Sequence, residues 1–220
     1  MAFSRLGLIL VYLPTLLAYF FTETSRNFRR RAVNKILLAT LFLGAGTAWF
    51  LTNGYSGWRY LGLCGLILAW LGDVVLLWSF TRGGACFAAS NIFFILYEVL
   101  WLKESDVTPG AAWWLGLVFL TLMLVMMGLS RRKWIDFGRQ EKLILPYLAT
   151  VTGHGVLGLG LVALTRGMHP LLLGSGLALF MISDYFLMAY KFKCPRNAVL
   201  RFNSGTYFLG MLLVALSFSY

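Results

Sequence analysis

Apolar runs of about twenty residues recur from one end of this chain to the other, and they leave it few ways to fold. About 20 such residues cross some 30 Å of hydrocarbon as a helix. Inside lipid, only helices and closed barrels satisfy every backbone polar group. The runs fall at about 6–22, 34–52, 58–80, 84–102, 111–129, 143–165, 169–190 and 200–220, too long for barrel strands. Only 12% of the 220 residues are charged and mean hydropathy is +0.77, whereas a soluble domain carries roughly 25% charge. The expected fold is all-α: a polytopic bundle of eight transmembrane helices forming one domain, 1–220.

The connections are short and carry turn formers: Asn53-Gly54, Gly83-Gly84, Pro109-Gly110 and His169-Pro170. Lys and Arg sort strongly between the two sides. One side takes Arg26, Arg29, Arg30, Arg31, Lys35, Arg82, Arg131, Arg132, Lys133, Arg139, Lys142, Lys191, Lys193, Arg196 and Arg201. The other takes Arg5, Arg59, Lys103 and Arg166. By the positive-inside rule the first side is cytoplasmic and both termini lie outside. The net charge of +11 then reflects topology and anionic headgroups, and no nucleic-acid partner is expected. Cys64, Cys86 and Cys194 form no motif, so neither a disulfide framework nor a metal site is indicated. The apolar run after Arg5 lacks a small-residue cleavage site and reads as a retained first span.

Two of these runs each contain a lone aspartate, in Trp70-Leu71-Gly72-Asp73-Val74-Val75 and in Met181-Ile182-Ser183-Asp184-Tyr185-Phe186. A carboxylate within a span is costly and usually faces a protein interior or a wet cavity with a task. Asp73 stands nine residues before Arg82 and Asp184 seven before Lys191, which puts both about 10–14 Å of helix from the cytoplasmic boundary. Asn91 and Tyr207, on the spans that run back out, reach a similar level. Tyr147, Thr150 and His154 share one face of the sixth span. Glu98 shares a face with Asn91 and falls toward the outer end, where the interface would solvate it. A polar cavity opening toward the cytoplasmic leaflet is expected, with Asp73 and Asp184 at its centre and Asn91, Tyr207, Ser183, His154 and Tyr147 on its wall. The glycines from Gly153 to Gly160 and from Gly174 to Gly176 suit close helix packing.

A weak internal repeat accompanies the pair. Lys35-Ile36-Leu37-Leu38 resembles Lys142-Leu143-Ile144-Leu145, and Leu66, Leu68, Asp73 and Leu76 align with Leu177, Leu179, Asp184 and Leu187. Asn91 aligns with Thr206. Four spans per unit would make two parallel repeats about an axis along the membrane normal, bringing the aspartates together near the centre.

At these residues the sequence resembles the lysoplasmalogenase-like (YhhN-type) integral membrane proteins. The likeness lies in Leu71-Gly72-Asp73-x-x-Leu76, in Gly83-x-x-x-Phe87-x-x-Ser90-Asn91-x-x-Phe94, and in Phe180-x-x-Ser183-Asp184-x-x-Leu187 with Thr206-Tyr207. The chain departs from that pattern at Asn91 and Phe94, where the family usually has His and Tyr. It departs again at Met211, for a Gln or His, and at Ile36, for the proline of a Lys-Pro pair. The resemblance implies cleavage of the vinyl ether bond of lysoplasmalogens, giving a fatty aldehyde and a glycerophospho-base. It also implies a lysophospholipid substrate drawn from the bilayer, no cofactor and no metal, in a setting such as a bacterial inner membrane.

Such hydrolysis needs a carboxylic acid to protonate carbon and a carboxylate to stabilise the resulting cation and activate water. Two neighbouring carboxyls at low dielectric suit that division. Lys35 or Lys142 at the cytoplasmic mouth would meet the lipid phosphate. The competing expectation is a non-enzymatic one: a lipid- or small-molecule-binding protein or proton-coupled transporter using the same Asp pair. A third is hydrolysis of another ether or ester lipid, although no serine sits in a nucleophile motif. The sequence carries no signal for oligomeric state.

Overall fold

The computed structural model describes residues 4–25, 27–132 and 134–220, with the side chain of Arg139 excepted. Arg26 and Lys133 of the basic side thus lie outside the described residues. The eight long helices are α1 (Arg5–Thr22), α2 (Phe28–Thr52), α3 (Tyr60–Leu76), α4 (Phe80–Glu104), α5 (Pro109–Arg131), α6 (Glu141–Leu164), α7 (Met168–Phe192) and α8 (Asn197–Ser217). All eight are long and apolar enough to span a membrane, α3 together with the short turn of helix before it, so this is a multi-pass membrane protein. Side-chain oxygens of Ser4, Asn27, Ser79 and Thr108 accept from the backbone N–H three residues on, satisfying donors that the helix itself leaves orphaned.

Among the departures from the sequence-based boundaries, α2 starts at Phe28, ahead of the apolar run at 34, and α3 ends at Leu76 although the apolar run continues through Leu77 and Trp78. Gly83 explains the early stop: a Cβ there would sit 2.8 Å from the Leu76 Cα. Only glycine lets α4 start this close to the last turn of α3. Asp73 therefore lies about 5 Å of helix from the end of α3, while Asp184 keeps about 12 Å to the end of α7.

Seven helices close into a ring. In order round it, α1, α2, α3, α4, α6, α7 and α8 each pack on the next, α8 returns to α1, and α2 also packs on α8. α5 lies outside the ring against α6 and buries only Leu115 and Met126 along its length. Exchanging each helix with the one four places along maps α3·α4 onto α7·α8, α2·α3 onto α6·α7, α1·α2 onto α5·α6, and α4·α6 onto α8·α2. Only the α1·α8 contact lacks an equally extensive counterpart. This is the pattern of two parallel four-helix units.

The ends differ. Opposite the basic linkers, Trp58, Tyr97, Trp101, His169 and Phe218 form an aromatic plug, with His169 stacked on Trp101 at 4.1 Å. His169 is fully engaged there, bonded to the Tyr97 hydroxyl at 3.0 Å and to the Ser217 carbonyl at 2.8 Å. At the basic end the ring is open and polar.

Candidate functional site: an aspartate pair beside an apolar cavity

The last turn of α3 and the middle of α7 turn Asp73 and Asp184 into one small cleft, closed by Tyr207 and Phe208 of α8 and Lys35 of α2. Both carboxylates are almost wholly buried. Asp73 takes a hydrogen bond from the Tyr207 hydroxyl at 2.6 Å and an ion pair from Lys35 at 3.2 Å. Tyr207 is fixed by edge contacts with the Phe87 and Phe180 rings at 5.8 and 5.2 Å. Asp184 is held differently: the Tyr147 hydroxyl of α6 donates to its Oδ2, and no Lys or Arg pairs with it among the described residues. Ser183 faces the same cleft and accepts from Asn203 Nδ2 through its carbonyl and hydroxyl oxygens, at 2.9 Å each.

Three residues expected on the wall or mouth are placed otherwise. Lys35 does not wait for a phosphate, because its ammonium is engaged by Asp73 with the side chain only 12% exposed. A four-carbon stem reaches an internal carboxylate as readily as the interface, and the desolvated anion is the stronger attraction. Asn91 does not line the cleft; it is fully buried between α4 and α6 and donates to the Thr150 hydroxyl at 3.3 Å. His154 is likewise away from the cleft, between the rings of Phe94 and Phe180 with centroids at 6.5 and 5.0 Å. Glu98 is not solvated at an interface, being fully buried.

Sequence reasoning missed two parts of the site. One is Glu23, just past α1 at the basic end, which accepts from the hydroxyls of Ser204 and Tyr19. Burial raises its carboxyl above the usual range, opposed by those hydrogen bonds and by the charges of Lys35 and Arg201. The other is an apolar cavity of about 340 Å³ between α4, α6 and α7, walled by Phe80, Ala88, Ile92, Leu143, Tyr147 and Met188 among others. It shares Leu76, Phe87 and Leu187 with the acidic cleft, so the two spaces are neighbours across one wall. Tyr147 lines the cavity while its hydroxyl holds Asp184. No pattern of apolar residues distinguishes such a cavity from lipid-facing surface.

Elsewhere, hydrogen bonding leaves a concentrated deficit. Among the described residues seven buried side-chain polar atoms lack a partner, and Asn91 Oδ1, both Glu98 oxygens and both His154 nitrogens are five of them. Each orphaned group costs about 1–3 kcal/mol, more if charged.

These features define a class: a helical membrane protein with an intramembrane carboxyl pair beside an apolar cavity. More particularly, the chain belongs to the YhhN family, whose family model matches residues 8–218. No curated protein and no solved structure matches it.

Proposed function

We propose that the protein is a membrane hydrolase of lysoplasmalogen-type vinyl ether lipids, with Asp73 and Asp184 performing acid–base chemistry. One observation carries this reading: the acid cleft shares Leu76, Phe87 and Leu187 with an apolar cavity large enough for part of a single hydrocarbon chain. A lysolipid lying with its chain in that cavity brings the bond next to its first carbons up to the carboxyls.

The two aspartates then divide the work by their partners. Asp184, with no Lys or Arg paired to it among the described residues, donates its proton to the vinyl carbon one removed from the ether oxygen, leaving an oxocarbenium ion. Asp73, its charge compensated by Lys35, faces that cation and takes a proton from the attacking water. The new C–O bond gives a hemiacetal. Return of the Asp184 proton is balanced by the water proton held on Asp73, and collapse releases the aldehyde and the glycerol hydroxyl. Tyr147 and Tyr207 hold the carboxyls in register through the reaction. Neutralising one partner of a buried pair while positioning the other acid is how two identical groups acquire two roles.

The test is aldehyde release from a lysoplasmalogen by purified protein in lipid nanodiscs. Aldehyde production that Asp184→Asn abolishes supports the reading; its absence from folded wild type defeats it. A second reading, proton-coupled binding or transport, draws on the Lys35–Asp73 pair, since an ion pair inside a bundle can open and close as a proton binds. Saturable lysolipid binding without turnover would favour that one. We further propose that the basic end is cytoplasmic and that both termini lie outside, in a bacterial inner membrane. Reporter fusions near residues 55 and 167 would read external, and one near 195 cytoplasmic.

A further inference from the structure

Along the α4–α6 interface, polar groups stand at successive turns and lead away from Asp184. Tyr147 donates to Asp184, and the Thr150 hydroxyl donates to the Tyr147 carbonyl at 2.8 Å. Asn91 donates to Thr150, leaving its Oδ1 unpartnered. Among the described residues, His154, one turn on, has no partner on either nitrogen, and Glu98, one turn further, has none on either oxygen. All three side chains are fully buried. Glu98 has room because residue 158 is glycine: a Cβ there would lie 3.3 Å from Glu98 Oε1 and 2.8 Å from the Gly174 carbonyl of α7. The file ends beneath the aromatic plug, where Tyr97 and Trp101 pack on His169.

We propose that Asn91, His154 and Glu98 bind a file of water molecules behind the aspartate pair. Five unpartnered atoms at one interface, spaced a turn apart and lined with donors and acceptors, are the setting in which buried water is retained, each molecule bonding two to four groups. With a lipid seated in the cavity and its headgroup over the basic mouth, the file supplies the water that attacks the oxocarbenium carbon. That supply role rests on the hydrolase reading, whereas the file itself does not.

The experiment is millisecond X-ray radiolysis of the protein in nanodiscs, with oxidised side chains mapped by mass spectrometry, because radicals arise where water is bound. Phe94, which faces the His154 ring, His154 itself and Met181, which packs against Gly155 beside it, should label despite their burial, while Met211 of α8, buried away from this interface, stays unlabelled. Glu98→Leu should cut labelling at Phe94 and His154 severalfold and Glu98→Gln should preserve it; if Glu98→Leu does not fold, His154→Leu replaces it, read at Phe94. For turnover, Glu98→Leu should lower kcat about tenfold with KM unchanged, the pattern of a missing reactant rather than weaker binding. Wild type unlabelled at all three residues overturns the file. Labelling indifferent to Glu98→Leu overturns the assignment of its ligands, and labelling with unchanged kcat overturns the supply role. A wild type without turnover removes the supply role together with hydrolysis, and labelling alone then decides the file.

Discussion

The two halves of the molecule hold equivalent aspartates in unequal company. In the first half, α2 reaches Asp73 with Lys35, and α8 adds the Tyr207 hydroxyl. In the second, α6, the counterpart of α2, reaches Asp184 with the phenol of Tyr147 instead of an ammonium. Lys142, aligned with Lys35 in the repeat, is exposed. The fourth symmetric arm is missing: Asn91 of α4 turns to Thr150 and does not reach Asp184. A duplicated frame that kept both carboxyls but varied their partners has paired one with an ammonium and a phenol and the other, among the described residues, with a phenol. The difference matters because acid and base catalysis by two identical side chains requires different surroundings.

The most severe way to break that comparison is to remove a carboxyl. Asp184→Asn and Asp73→Asn keep shape and hydrogen bonding, and each should reduce aldehyde release by about 10²–10⁴, the usual cost of losing a positioned acid or base. Equal losses with unchanged KM are expected, since the cavity that holds the chain is untouched. A fall in only one of the two variants would mean that a single carboxyl suffices.

Next in size is the charge balance at Asp73. Lys35→Met strands a buried anion and should cost about 3–5 kcal/mol of stability, whereas Lys35→Met combined with Asp73→Asn should recover most of it. Unfolding followed by denaturant titration in detergent measures both. Full stability in the single variant would show that Lys35 and Asp73 are not paired in the membrane. A smaller effect is expected on the apolar side: Ala88→Trp fills part of the cavity. Excluding even two buried methylenes of the substrate, at about 0.8 kcal/mol each, should raise KM about tenfold with little change in kcat.

Much of this architecture is legible in the amino-acid order because lipid allows so few alternatives. The number of spans, most of their ends to within a few residues, and the exchange of α1–α4 with α5–α8 all follow from hydropathy and spacing. The break after Leu76 is not legible, since hydropathy reports polarity and Leu77-Trp78 is as apolar as the helix before it. Its cause is a backbone approach at Gly83, a tertiary fact. The partner of Lys35 is not legible for a related reason: near a helix end, snorkelling and an internal ion pair call for the same residue type. Asn91 and Glu98 share a face by spacing, but which neighbouring helix that face meets depends on α5 standing outside the ring so that α4 contacts α6.

The tyrosines give the smallest and sharpest test of the asymmetry. Tyr207→Phe removes one of two partners of Asp73, and Lys35 remains to fix the carboxylate. Tyr147→Phe removes the hydrogen bond that orients Asp184 Oδ2. A hydrogen bond to a charged or reacting carboxyl is worth about 1.5–3 kcal/mol. Tyr147→Phe should therefore lower kcat by about 10- to 100-fold, and Tyr207→Phe by only a few-fold because the ion pair is redundant with it. Asn91→His, which restores the side chain usual in the family, should then offset part of the Tyr147→Phe loss if its imidazole reaches Asp184 from α4, the arm that is missing here. Both effects are read as kcat ratios on one substrate. Equal losses for the two tyrosines would mean that the aspartates are interchangeable, and the division of roles drawn from their partners would be wrong.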